Sequence, residues 1–165
     1  MTETHKGTVV LTGGGGFLGH RMSKRLCDDG YAVAVVDREL ETAQASADQA
    51  GTSARAYACD ISDRAALTDL HAKVKNDLGE VTHLVCGAAT KSDNFFEAFE
   101  DFPIEDWNYV MNVNLTGPAL CAQEFGPGMV AKGKGSIVNI LSIYGIYAPD
   151  QRIYEGSLYE GRAIN

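Results

Sequence analysis

Val9-Val10-Leu11-Thr12-Gly13-Gly14-Gly15-Gly16-Phe17-Leu18-Gly19 is the stretch that decides the fold, because an apolar run passes into glycines and then into a helix-like segment, 17–27. Glycines permit a tight turn and let backbone N–H groups approach phosphate oxygens. A helix that begins there adds unpaired amide donors and a partial positive charge. Four glycines alone would also suit a flexible linker, but linkers rarely join a β-branched strand to an amphipathic helix. The stretch therefore predicts a pocket for the pyrophosphate of a dinucleotide.

Short apolar runs rich in valine and isoleucine alternate with helix-like segments along the chain. Such runs are typical of parallel strands that are buried on both faces. We predict strands at 8–12, 32–36, 54–59, 83–86 and 136–141. We predict helices at 17–29, 40–50, 63–78 and 104–131. The pattern indicates one Rossmann-type domain over residues 1–165, with a parallel sheet between two helix layers and a loop-like tail at 143–165.

Composition narrows the class of partner and the compartment. The net charge of -8, without a cluster of lysine and arginine, argues against nucleic acid or an anionic membrane and favours a small-molecule partner. The chain has neither a secretory apolar segment nor the ~20 apolar residues of a membrane span. The cysteines lack the CxxC spacing of zinc or redox sites, so we expect reduced thiols in a cytoplasmic protein and no metal site. They are Cys27, Cys59, Cys86 and Cys121.

Two aspartates follow predicted strands and are candidate nucleotide ligands. Asp37 closes the second strand, 18 residues after Gly19, where a Rossmann fold places the acid that binds the adenosine ribose hydroxyls. A carboxylate there repels a 2′-phosphate, so the sequence favours NAD over NADP, although neighbouring Arg38 partly offsets that repulsion. Asp37 also suits a solvated turn. Asp60 suits an adenine contact and helix capping equally well, and Asp60, Ser62 and Asp63 are all good N-cap residues for the next helix.

Six motifs in chain order give the chain its likeness to a known family. They are Thr12-Gly13-x-x-Gly16-x-x-Gly19, Asp37, Cys59-Asp60-Ile61, Gly87-Ala88-Ala89, Asn112-Val113-Asn114-Leu115-Thr116-Gly117 and Gly135-Ser136-Ile137-Val138-Asn139-Ile140-Leu141-Ser142. With them the chain resembles the short-chain dehydrogenase/reductase family from residue 8 to residue 142. The loop at 95–103 and the segment from 142 onward are similar to reductases of bacterial surface-sugar or flagellin modification.

The resemblance implies a fold, a cofactor and a set of binding residues. The implied sheet has strand order 3-2-1-4-5, and the implied cofactor is NAD, with NADP the less favoured form. The implied cofactor-binding residues are Gly13, Gly16, Phe17, Leu18, Gly19, Asp37, Asp60, Ile61, Gly87, Ala88 and Ala89. Where the family has an Asn-containing segment that braces the sheet, this chain has Cys86-Gly87-Ala88-Ala89, which puts the rigidity of the sheet in question.

The resemblance also implies catalytic residues, of which the chain carries only some. By motif, Ser142 matches the serine that hydrogen-bonds the substrate carbonyl, and Asn114 matches the asparagine of the proton relay. The family's Tyr-x-x-x-Lys motif is absent, and no lysine follows Lys134. Tyr154 lies 12 residues after Ser142, yet the residue four positions later is Leu158. A tyrosine without a nearby cation keeps a pKa near ~10 and is a poor base at neutral pH.

The chain is short for this family, and its last predicted strand would form an uncovered edge of the sheet. Exposed edges invite pairing, so we expect a shortened chain that forms homo-oligomers. Three functions remain open at this point. The first is an NAD-dependent oxidoreductase that interconverts a hydroxyl and a carbonyl group. The second is a non-catalytic NAD-binding protein, and the third is a sugar-nucleotide epimerase or dehydratase, which the spacing of Gly13, Gly16 and Gly19 suggests.

Overall fold

The computed structural model describes residues 5–148 and 150–157, which form a parallel sheet with helices on both faces. The strands are β1 (Thr8–Thr12), β2 (Ala32–Asp37), β3 (Ala54–Ala58), β4 (Val81–Cys86) and β5 (Ser136–Asn139). The helices are α1 (Phe17–Asp28), α2 (Leu40–Ala50), α3 (Arg64–Leu78), α4 (Ile104–Met111) and α5 (Gly117–Ala131). The sheet order β3-β2-β1-β4-β5 confirms the predicted Rossmann-type topology.

Alternating side chains of the central strands build the core on both sides of the sheet. On one face, Val10 and Val36 pack with Phe125 of α5 and with residues of α3. On the other face, Leu11 and Val35 pack with the alanines of α2. Because both faces are covered, β1 is buried along its whole length. The near-continuous apolar runs in the sequence have this physical cause.

The segment 104–131, predicted as one helix, is divided in the structure. A π-helical turn, Asn112–Thr116, separates α4 from α5, and the Gly117 amide donates to the Asn112 carbonyl. Pro118 stands in the first turn of α5, where it has no N–H to donate and its ring crowds the carbonyl of the residue four positions earlier. The wider turn accommodates the proline. The helical bounds 104–131 are therefore as predicted, whereas the π turn within them, which contains Asn114, was not predicted.

β5 forms an open edge of the sheet, as predicted, and it ends two residues earlier than expected. Its residues are exposed, and Ile140 and Leu141 continue the exposed apolar surface beyond Asn139. The Ile140 amide still donates to the Cys86 carbonyl at 3.0 Å, so the chain stays beside β4 past the end of the strand. In the described part of the chain, none of the helices has the length and apolar character needed to cross a membrane.

Candidate cofactor and active site

The parallel register brings the predicted site residues to one edge of the sheet. Thr12 is level with Val36 on β2 and with Cys86 on β4. Three parts of the predicted site therefore lie at the carboxyl edge of the sheet. They are the glycine loop after β1, Asp37 at the end of β2 and the segment 87–89 after β4. β1 lies between β2 and β4, where the order of strands reverses direction along the chain. Open α/β sheets bind ligands in the crevice at this switch point.

Two glycines of the loop are required by close backbone approach. Gly13 has φ +67°, and a Cβ there would lie 2.7 Å from the backbone nitrogen of Ala88. A Cβ at Gly19 would overlap the Gly13 carbonyl oxygen. Gly13 thus lets the β1 and β4 segments meet, and Gly19 lets α1 pack directly on the loop. Close packing of the helix on the loop agrees with the sequence analysis of the glycine motif, whereas the contact between Gly13 and the β4 segment is seen only in the structure.

The start of α1 presents unpaired donors to the crevice. Gly16 caps the helix without a side-chain hydrogen bond, and the first turn contains no acidic residue. The first amides of a helix have no partner within it, and here they carry the positive end of the helix dipole. Phe17 and Leu18, which supply such amides, are 77% and 58% exposed. The loop therefore leaves an anion-accepting edge open to solvent.

Asp37 is held in place by the same loop. Its carboxylate accepts hydrogen bonds from the Gly15 amide at 3.0 Å and from the Arg38 amide at 2.8 Å. The Gly14 amide donates to the Val36 carbonyl at 2.9 Å, which fixes the loop against β2. A carboxylate oriented in this way can accept hydrogen bonds from ribose hydroxyls.

The structure separates the roles of the residues after β3. Asp63, not Asp60, caps α3, since its carboxylate accepts from the amides of Ala65 and Ala66. The capping alternative for Asp60 was wrong. The Asp60 carboxylate instead accepts from the Ser62 hydroxyl at 2.6 Å and the Ser62 amide at 2.9 Å, and these bonds lower its pKa. Ile61 lies in the core, so the structure does not bring its side chain to the open edge.

Thr12 braces the segment after β4. The Gly87 amide donates to the Thr12 carbonyl at 3.2 Å and lies 3.3 Å from the Thr12 hydroxyl oxygen. The Ala88 amide lies 3.4 Å from the same hydroxyl oxygen. Thr12 is 1% exposed, so these bonds are shielded from water. A buried threonine on β1 thus supports the segment. Thr12 opens the glycine motif in the sequence, but the motif does not indicate this supporting role. Ala89, next along, is exposed.

Asn114 faces the loop that follows β4. Its Oδ1 accepts from the Thr90 amide at 2.7 Å, and its Nδ2 donates to the Thr90 carbonyl at 2.9 Å. The Thr90 hydroxyl lies 3.2 Å from the hydroxyl of Tyr109 on α4. Sequence reasoning missed Thr90 and Tyr109 as site residues. No local pattern could have identified them, because their contacts join segments that are distant in the sequence.

Ser142 lies past the end of β5 at the same edge of the sheet. Its Oγ accepts from the Tyr144 amide at 3.1 Å and starts a short 3₁₀ turn, Ile143–Gly145. The Tyr154 hydroxyl is hydrogen-bonded to that of Tyr144, and this bond raises the pKa of Tyr154. A raised pKa is opposite to what a proton-transferring tyrosine needs.

Comparison with known proteins identifies the family. The family model described as short chain dehydrogenase matches residues 7–157 of the chain. The chain belongs to the short-chain dehydrogenase family. This short-chain dehydrogenase is 34% identical over 136 residues to carbonyl reductase family member 4 of Xenopus tropicalis, covering 82% of the chain and 56% of that protein. It is 35% identical over 137 residues to acetoacetyl-CoA reductase of a Synechocystis strain, covering 83% and 53%.

Solved structures give the same result. NAD+-bound xylitol dehydrogenase matches with a TM-score of 0.80 at 30% identity, covering 88% of this chain and 56% of that one. A metagenomic short-chain oxidoreductase in complex with NADP matches with a TM-score of 0.80 at 26% identity, covering 90% and 66%. The chain spans about half the length of the curated relatives it matches. Its family consists of oxidoreductases, and the two structural neighbours named here were solved with NAD+ and with NADP.

Proposed function

We propose that this short-chain dehydrogenase binds NAD in preference to NADP and contributes to hydride transfer between a hydroxyl and a carbonyl group of a small molecule. One observation carries the proposal: the open start of α1 stands at the switch point of the sheet beside a fixed carboxylate, Asp37. The first feature suits a pyrophosphate and the second suits an unphosphorylated ribose.

The residues present suit a nicotinamide dinucleotide along the whole carboxyl edge. The amides at Phe17 and Leu18 would hold the pyrophosphate, and Asp37 would hold the adenosine ribose. The short side chains at 87–89 would let the cofactor lie close to the end of β4. The nicotinamide ring supplies the hydride chemistry when it is bound. Ile61 supports this wall from the core, against Gly117 of α5.

Ser142 and Asn114 take different parts in the proposed chemistry. The Ser142 oxygen accepts from the Tyr144 amide, so its O–H is available to donate to a carbonyl oxygen on which negative charge develops. Both functional groups of the Asn114 amide are engaged by the Thr90 backbone. We assign Asn114 to holding the loop that walls the site. The chain's own residues thus bind and orient, while the sequence offers no Tyr-x-x-x-Lys for the proton.

Calorimetric titration of NAD+ and NADP+ tests the proposal. Wild-type protein should bind NAD+ more tightly than NADP+. Asp37→Ala should weaken NAD+ binding about ten- to 150-fold, since hydrogen bonds to a charged group are worth about 1.5–3 kcal/mol. Asp28→Ala is the matched control, because Asp28 is an exposed carboxylate paired with Lys24 on α1 at 2.9 Å. Failure of folded wild-type protein to bind either nucleotide would refute the proposal.

A further inference from the structure

Arg38 is the cation nearest in sequence to the proposed ribose ligand Asp37, and its guanidinium group has partners on two other residues. Its Nε donates to the Glu39 carboxylate at 3.3 Å. Its Nη1 donates to the Tyr109 hydroxyl at 3.4 Å, across 71 residues of sequence. The Tyr109 hydroxyl is also 3.2 Å from the Thr90 hydroxyl, which belongs to the loop held by Asn114. Arg38 is therefore tied to α4 and, through it, to the wall of the site.

The contacts of Arg38 with Glu39 and Tyr109 affect whether the position at Asp37 can accept a ribose that carries a 2′-phosphate. A 2′-phosphate carries roughly two negative charges and is bound best by the paired donors of a guanidinium group. Here two of the donor nitrogens of Arg38 are directed to Glu39 and Tyr109, and Glu39 balances the positive charge. The same two hydrogen bonds raise the pKa of Arg38, that of Tyr109 contributing most. The Asp37 carboxylate then makes the ribose position negatively charged, and this charge repels a 2′-phosphate.

We infer that Tyr109 is a specificity-determining residue, which favours NAD over NADP by engaging the Arg38 guanidinium beside Glu39, so that its paired donors are not free for a ribose 2′-phosphate. Tyr109 acts through Arg38 and is a positioning residue. The inference rests on the proposed function, since it assumes that the adenosine ribose binds at Asp37. It adds a control element on α4, outside the strand ends where the other cofactor residues lie.

The test compares the two nucleotides in variants that release Arg38. Dissociation constants of NAD+ and NADP+ are measured calorimetrically, with AMP and 2′-phospho-AMP as probes of the adenosine half alone. Tyr109→Phe keeps the ring and removes the hydroxyl, and the ratio of the NADP+ constant to the NAD+ constant should fall about three- to fivefold, the range of one exposed charged contact. Adding Glu39→Gln should lower the ratio further.

Two further variants keep the test decisive. Tyr31→Phe is the matched control, because the Tyr31 ring packs on His83 at 5.3 Å, just before β2 and away from the carboxyl edge, and its ratio should equal the wild-type ratio. In an Arg38→Ala background, Tyr109→Phe should leave the ratio unchanged, since the residue it acts through is gone. Circular dichroism confirms that each variant is folded.

The outcomes separate the inference from the function beneath it. A wild-type protein that binds neither nucleotide refutes the proposed function. A wild-type protein that binds NAD+, together with an unchanged ratio in folded Tyr109→Phe, overturns the role of Tyr109 alone. The role of Tyr109 is also overturned if the ratio of the NADP+ to the NAD+ dissociation constant rises in Tyr109→Phe. It is overturned as well if Tyr109→Phe lowers the ratio equally in the wild-type and Arg38→Ala backgrounds.

Discussion

Replacing Gly13 with alanine tests why position 13 must be glycine. Two causes contribute: the backbone has a left-handed conformation there, and neighbouring backbone lies too close for a Cβ. Gly13 has φ +67°, and an added Cβ would meet Ala88 N, Ala88 Cα and the Gly87 carbonyl carbon, each at 2.7 Å. A left-handed non-glycine residue costs about 1–2 kcal/mol. Forcing an extra methyl group into packed surroundings costs about 1–3 kcal/mol more. The sum is about 2–5 kcal/mol of unfolding free energy, within the stability of a typical domain.

Gly133→Ala is the control that separates the two contributions. Gly133 has φ +61°, and nothing lies within 4 Å of the position its Cβ would take. It should therefore cost only the conformational part, about 1–2 kcal/mol. Urea unfolding followed by circular dichroism gives both values, and the difference between them measures the crowding against the β4 segment. Equal losses of stability in the two variants would refute the close approach of β1 and β4 on which the site depends.

Three further predictions concern individual side chains. Asn114→Ala should lower the free energy of unfolding by about 1–3 kcal/mol, because it leaves the loop after β4 without two hydrogen bonds. Urea unfolding measures this change, and a loss well below about 1 kcal/mol would contradict the prediction. Iodoacetamide should alkylate Cys27 before Cys59, read by peptide mass spectrometry, since Cys27 is half-buried while burial raises the pKa of Cys59 to about 11; faster labelling of Cys59 would contradict that burial. Ser62→Ala should destabilise the protein at neutral pH, and this loss should disappear as the pH falls through the folded pKa of Asp60, because a lowered carboxyl pKa contributes stability only where the group is ionised. Unfolding at several pH values checks this, and a loss that persists in acid would point to another cause.

The sheet and its glycine loop could be predicted from sequence because their signals are local. A buried parallel strand leaves an apolar run such as Val9-Val10-Leu11, and the loop leaves glycines at fixed distances. Asp37 followed from its position after a strand. The uncovered edge at β5 followed from strand order alone, and its exposed apolar residues confirm it.

The remaining features depend on contacts between distant segments. The π turn comes from fitting Pro118 while α5 packs on β4, and a helix-like composition gives no sign of it. Tyr109 meets Arg38 across 71 residues, and no spacing rule connects them. Thr12 resembles any buried strand residue until β4 places the Gly87 amide beside its hydroxyl. Ile61 belongs to a sequence motif of the cofactor site, but the motif does not show that its side chain lies in the core.

Above all, we propose that the start of α1 binds the linked phosphates of the cofactor. Titration of isotopically labelled protein with NAD+ and, separately, with adenosine, followed by amide NMR shifts, tests it directly. The claim predicts that the Phe17 and Leu18 amides shift strongly and saturably with NAD+ and far less with adenosine, which has no phosphate. Amides at Phe17 and Leu18 that stay unshifted while NAD+ binds would contradict it.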